Sequence, residues 1–234
     1  MKPVIGVSSA LSQETWALSG NGGPYVYAGE PYSRAVFLSG GLPMMLVPPG
    51  EGMPLEDLAG IILDKLDGLL LSGGGNASRF SPSNMPGMAR QQPRRYVFEA
   101  HLIREAWRRS LSVLGICRGH QMMAEVLGGA LREEVVAGHG GETGGHPINP
   151  EGGNLFPSLG DSWPWQVNTY HCQVVEQVPP GFAVAARSPE GWIEAMEALD
   201  KKFFIGVQFH PEMLFEDSHK ARRLFKAFME AASS

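Results

Sequence analysis

Leu111-Ser112-Val113-Leu114-Gly115-Ile116-Cys117-Arg118-Gly119-His120-Gln121-Met122-Met123 is the stretch that decides how this chain folds. A short apolar run ends at Cys117, and apolar residues then return at helical spacing at Met122, Met123, Val126 and Leu127. A strand that runs straight into a helix through Gly-x-Cys-x-Gly is an elbow. The tight turn lifts the thiol above the sheet, and flanking glycines keep Cβ atoms out of a turn that has no room for them. The N-terminus of the helix favours a thiolate and offers free backbone N–H groups that can stabilise an oxyanion. The plainer alternative is a buried structural cysteine before a helix. Glycine on both sides of Cys117 weighs against it.

Outward from the elbow, short apolar runs at 3–7, 42–48 and 67–71 alternate with segments of helical spacing, the first at 32–38 with its Gly40-Gly41 stop. Strands that read as continuous apolar runs are buried on both faces, so the pattern predicts an α/β fold with a mostly parallel sheet between two helical layers. Ligands of such sheets bind beyond the carboxyl ends of the strands. Cys117 sits at one such end, and Ser72-Gly73-Gly74-Gly75-Asn76 at another. After Gly129 the pattern shifts to shorter strands and turns at 131–136, 183–187 and 192–197, with a glycine-rich loop through Gly145, which predicts an antiparallel edge. The run 203–209 leads into His210-Pro211-Glu212, and 220–232 reads as an amphipathic helix. Segment 78–95, with Pro82, Pro86, Pro93 and Gly87, is expected to be a loop over the site without regular structure.

With 234 residues, 43% hydrophobic and 18% charged, residues 1–234 suit a single domain with a full core. A net charge of −5 and a pI near 5.8 predict no nucleic-acid or membrane partner. The N-terminal segment reads as a buried strand rather than a leader, and no apolar stretch approaches the roughly 18–20 residues that span a bilayer. Two distant cysteines make no disulfide framework, so a cytoplasmic setting is expected.

His210-Pro211-Glu212 is expected to be extended, because proline disfavours helix at the residue before it. Residues i and i+2 then share a side, so Glu212 could orient one ring nitrogen of His210 while the other faces a thiol. In the glycine run, Gly74 and Gly75 let backbone N–H groups approach a ligand, although a simple turn reads the same way. No phosphate-binding loop motif occurs and no cofactor is expected. Seven histidines and two cysteines show no metal-ligand spacing, so no metal is expected either. Cys172 lacks an elbow and reads as a lining or structural residue.

Cys-Arg-Gly-His-Gln at 117–121 and Gln-Phe-His-Pro-Glu at 208–212 resemble the two signature segments of the class I glutamine amidotransferase-like superfamily. Gly-Val-Gln-Phe-His-Pro-Glu, Val-Asn-Thr-Tyr-His at 167–171 and Ala-Arg-Ser-Pro-Glu-Gly at 186–191 are most similar to its γ-glutamyl-γ-aminobutyrate hydrolase branch. The resemblance covers nearly the whole chain and implies a flavodoxin-like three-layer core. It further implies that Cys117 attacks a γ-glutamyl carbonyl to form a thioester, with His210 moving protons and Glu212 orienting it. Gly74 and Arg118 match the oxyanion donors, Gln121 matches a glutamyl-binding glutamine, and Tyr170, His171, Cys172 and Gln173 match part of the substrate wall. Asn76 and Tyr96 stand where the branch usually has acids, which points to a different leaving amine.

The implied function is a free-standing hydrolase of a small γ-glutamyl amine, with a homodimer left open. Two alternatives stand beside it. One is a glutaminase subunit that delivers ammonia to a separate synthase, and the other is a non-catalytic binding protein on the same fold. The order His210 then Glu212 separates the chain from α/β-hydrolases, whose acid precedes the histidine.

Overall fold

The computed structural model describes residues 1–15, 24–50, 52–74, 87–132 and 145–234, with only the backbone at 13–15. The first half alternates as read from the sequence. β1 (Val4–Ser8) precedes β2 (Ala10–Thr15) and β3 (Pro24–Tyr27), which pair with each other antiparallel. Then follow α1 (Glu30–Leu38), β4 (Leu42–Leu46), α2 (Leu55–Leu63), β5 (Gly68–Leu71), α3 (Met88–Gln91), α4 (Pro93–Arg109), β6 (Ser112–Ile116) and α5 (Arg118–Val126). The second half holds β7 (Ala130–Leu131), β8 (His146–Pro150), α6 (Leu155–Ser158), β9 (Trp165–Val167), β10 (Val175–Gln177), β11 (Phe182–Arg187), β12 (Ile193–Ala198), β13 (Phe204–Val207) and α7 (His219–Ala232).

The main sheet runs β4-β1-β5-β6-β13-β12-β11-β8-β9. From β4 to β13 neighbouring strands are parallel, and from β13 to β9 they are antiparallel. Numbered in chain order, the parallel strands lie 2-1-3-4-5, the flavodoxin-like doubly wound order. Alternation along each strand feeds two cores. Leu70, Leu114, Ile116 and Ile205 pack in the layer of α1 and α7, and Leu69, Leu71, Val113 and Phe204 in the layer of α2, α4 and α5. α7 buries Leu224, Phe225, Phe228 and Met229 and is capped by Ser218, whose hydroxyl accepts the Ala221 N–H. Each large side chain so buried contributes about 1.5–3 kcal/mol.

Register fixes where the loops meet. Leu71 pairs with Gly115 and Ile116 with Val207, so the segments that follow β5, β6 and β13 emerge side by side at the carboxyl edge. The elbow is as tight as the glycines imply. A Cβ on Gly115 would lie 2.3 Å from Met123 Sδ, and one on Gly119 would lie 2.2 Å from the carbonyl oxygen of Leu71.

Segment 78–95 departs from the expected irregular loop. Residues 78–86 lie outside the described residues, but Met88–Gln91 forms α3 and Pro93 opens α4. Proline at the first position of a helix lacks an N–H that would have had no intrahelical partner, so it starts this helix instead of breaking one. The strand expected at 131–136 is described only through Leu131, in the two-residue β7.

Candidate active site

Cys117 holds φ 51° and ψ −103°, a left-handed φ rare outside glycine. Such strain costs on the order of 1–3 kcal/mol and persists only where neighbours over-determine it. Here the Cys117 N–H donates to the Val207 carbonyl at 2.8 Å, and the Cys117 carbonyl accepts the Gln121 N–H at 3.1 Å. The thiol is thereby held at the carboxyl edge of β6, at the N-terminus of α5.

His210 and Glu212 meet, though not in an extended segment. The His210 carbonyl accepts the Met213 N–H at 3.2 Å, closing a turn with Pro211 at its second position, which the ring's fixed φ suits. Within this turn His210 Nδ1 lies 2.6 Å from Glu212 Oε1, so Nδ1–H donates to the carboxylate and Nε2 is left for the sulfur. Burial pushes the His210 pKa down, but interactions with Cys117 and Glu212 outweigh it and hold the pKa well above the ordinary value. The chemistry available is that of a cysteine nucleophile beside an imidazole that can hold and give up a proton.

Asn168 clamps this turn, its amide donating to the His210 carbonyl at 3.0 Å and its Oδ1 accepting the His210 N–H at 2.8 Å. Tyr32, buried on α1, accepts the Gly73 N–H at 2.9 Å, and its oxygen lies 3.4 Å from His210 Nδ1. Burial, followed by the charges of Glu212 and Cys117, raises the phenol pKa well above its usual value. Sequence reasoning assigned no role to either residue. The signals were an asparagine inside the quoted Val167–His171 segment and a tyrosine on the core face of a helix, where a buried hydroxyl needs a partner.

The glycine run is held from below. The Arg95 guanidinium donates to the carbonyls of Ser72 (2.7 Å), Gly73 (3.3 Å) and Gly74 (3.1 Å) and pairs with Glu99 at 2.8 Å, both side chains fully buried. Because a trans peptide points its C=O and N–H in opposite directions, drawing the Gly73 carbonyl toward Arg95 turns the Gly74 N–H away from Arg95. A Cβ on Gly73 would lie 2.8 Å from His210 Cε1 and 3.2 Å from Cys117 Cβ, so only glycine fits there. Gly75 and Asn76 lie outside the described residues.

A cleft of about 320 Å³ opens over these groups. Gly74, Cys117, Arg118, Gln121, Tyr170, His171, Cys172, Gln173 and His210 line it. Every described residue that the sequence assigned to the site thus lies on the cleft wall except Glu212, which the structure holds against His210. Gln121 spends its amide donors on the Gln173 carbonyl (2.6 Å) and Gln208 Oε1 (3.1 Å), leaving its own oxygen as an acceptor. Burial pushes the Arg118 guanidinium down to about 10, and it remains a cation at neutral pH, 3.7 Å from Glu99. Burial and then the charge of Cys117 raise the Cys172 thiol pKa. Tyr96, where an acid was expected, is not part of the cleft wall and donates to Glu125 at 2.6 Å. Met88, Gln91 and Met213 complete the described lining, and nothing in the sequence pattern marked them.

Comparisons with known proteins bear on the family and the fold. A Mycobacterium tuberculosis protein provisionally named a glutamine amidotransferase is 33% identical over 99% of this chain and 75% of its own length. Gamma-glutamyl-gamma-aminobutyrate hydrolase PuuD of Escherichia coli K12 is 30% identical over 86% of this chain and 85% of its own. The crystal structure of a glutamine amidotransferase from Thermotoga maritima superposes with a TM-score of 0.65 at 16% identity, covering all of both chains, which shows a shared fold. The Peptidase C26 family model matches residues 3–212, and the chain belongs to that glutamine amidotransferase-like family.

Proposed function

We propose that this chain hydrolyses the amide bond of a small γ-glutamyl amine, with Cys117 as nucleophile, His210 as acid and base, and Glu212 as orienter. The observation that carries the reading is the 2.6 Å contact of His210 Nδ1 with Glu212, which commits the other ring nitrogen to the thiol of the strained elbow.

The Cys117 thiolate adds to the γ-carbonyl, and charge develops on the carbonyl oxygen near the N–H groups of Gly74 and Arg118. The imidazolium gives its proton to the amine nitrogen, the C–N bond breaks, and a γ-glutamyl thioester remains. Neutral His210 then takes a proton from water, hydroxide adds to the thioester, and glutamate leaves with the thiolate restored. The Gln121 oxygen is suited to accept from the substrate's ammonium, and Tyr170, His171, Cys172 and Gln173 wall the acyl chain. The hydrolases of this name among the relatives support this substrate class.

The test is glutamate release by the purified chain from a panel of γ-glutamyl amides and glutamine. Release from γ-glutamyl amines that Cys117→Ala abolishes would support the proposal. Release from glutamine alone would favour an ammonia-donating subunit, and no release from any amide would overturn the hydrolase reading.

A further inference from the structure

Behind the substrate wall, His146 at the start of β8, His171 in the wall and Glu194 on β12 converge from three separate parts of the chain. His146 Nε2 lies 3.4 Å and His171 Nε2 3.7 Å from Glu194 Oε1, and the ligand atoms of all three fall within 4.8 Å of one another. Glu194 is fully buried.

His146 Nδ1 is 3.2 Å from the Pro147 carbonyl, which can only accept, so Nδ1 donates there and Nε2 is the ring nitrogen turned to Glu194. One divalent ion at the centre of the cluster would meet both imidazoles and the carboxylate together. Tetrahedral zinc with bonds of about 2.0–2.1 Å sets its ligand atoms roughly 3.3 Å apart, close to the 3.4 and 3.7 Å that separate the two imidazoles from Glu194. The Pro147 carbonyl is the kind of outer partner that fixes the tautomer of a ligating histidine.

We propose that His146, His171 and Glu194 bind one zinc-type divalent transition ion, with solvent in the fourth position. The site is separate from Cys117 and stands independently of the proposed hydrolysis. It ties β8 and the substrate wall to β12 and so holds His171 in place.

The experiment treats the full chain with chelator and titrates it with Zn²⁺ by calorimetry and Co²⁺ by visible absorption. One equivalent is expected to bind, with cobalt bands of nitrogen and oxygen ligation and no thiolate charge-transfer band. Affinity should fall roughly 100-fold or more in Glu194→Gln and in His146→Gln, and stay unchanged in Cys117→Ser. Zn²⁺ should raise the melting temperature of the wild type and of Cys117→Ser, but not of the two ligand variants. Should Glu194→Gln fail to fold, His146→Gln at the cluster's margin decides. Absence of binding, or binding that survives His146→Gln and disappears in Cys117→Ser, would overturn the proposal. In those cases the cluster is an ion-pair network, or the ion sits on the Cys117 thiolate.

Discussion

Cys117 and three side chains near it differ in what their loss should do. Under the proposed mechanism Cys117→Ala abolishes glutamate release, whereas Cys172→Ala, which removes a thiol that only lines the cleft, leaves kcat within a few-fold of wild type. Equal losses would mean that the wrong thiol has been chosen. His210 sets the alkaline limit. Its pKa is held well above the ordinary value by charge from Cys117 and Glu212 against burial, so at neutral pH it carries the proton that the leaving amine needs. Raising the pH through that pKa removes the proton and lowers kcat/KM. Glu212→Gln takes away one of the charges that raise it and moves the alkaline fall to lower pH, which a pH profile of kcat/KM checks. An unmoved limb would assign that titration to another group. Tyr32→Phe leaves the buried Gly73 N–H without its acceptor, at about 1–3 kcal/mol, and removes the hydroxyl 3.4 Å from His210 Nδ1. A kcat reduced roughly 10- to 100-fold with a small change in KM is expected from steady-state kinetics.

At the scale of elements, the elbow and the glycine run depend on close packing between segments. Gly119→Ala pushes a Cβ to within 2.2 Å of a backbone oxygen on β5, which cannot swing aside as a side-chain tip would. A loss of about 3 kcal/mol is expected, seen as a melting temperature lower by roughly 6–12 °C. Arg95 joins α4 to the loop after β5, and Arg95→Met would leave Glu99 in the interior with only the Ser8 hydroxyl and the more distant Arg118 cation, at a cost of about 3 kcal/mol. Adding Glu99→Leu should recover most of that stability, yet the Ser72-Gly73-Gly74 carbonyls would still lack their donor, so thermal melts recover and glutamate release does not. Recovery of both would reduce Arg95 to a structural role. The sequence reading put Arg95 in a loop, so neither its place one helical turn from Glu99 nor the turning of both inward toward the site was visible there. A helix face is exposed or buried according to what packs on it, and α4 lies between α2, α5 and the site loops.

For the whole molecule, two helical layers share one sheet, and strands β5, β6 and β13 feed both cores. Phe228→Ala in one layer and Ile103→Ala in the other should each cost about 2–5 kcal/mol and lower the same single calorimetric transition. Two separate transitions would show that the layers unfold independently. The sequence by itself determined the α/β alternation, the parallel half of the sheet, the cysteine elbow and the pairing of His210 with Glu212. Each is written in residues a few positions apart, where strand and helix periods, glycine sterics and proline geometry act locally. It misjudged 87–95, where proline begins a helix, and the shape of the His210–Glu212 turn, because the same residue serves extension, turn or helix start according to its surroundings. Only the tertiary structure decided that Tyr32, Arg95 and Asn168 hold the site, and that His146, His171 and Glu194 converge. Those groups come from elements far apart in the chain, and the sheet register that aligns the strand ends is what brings them within bonding distance.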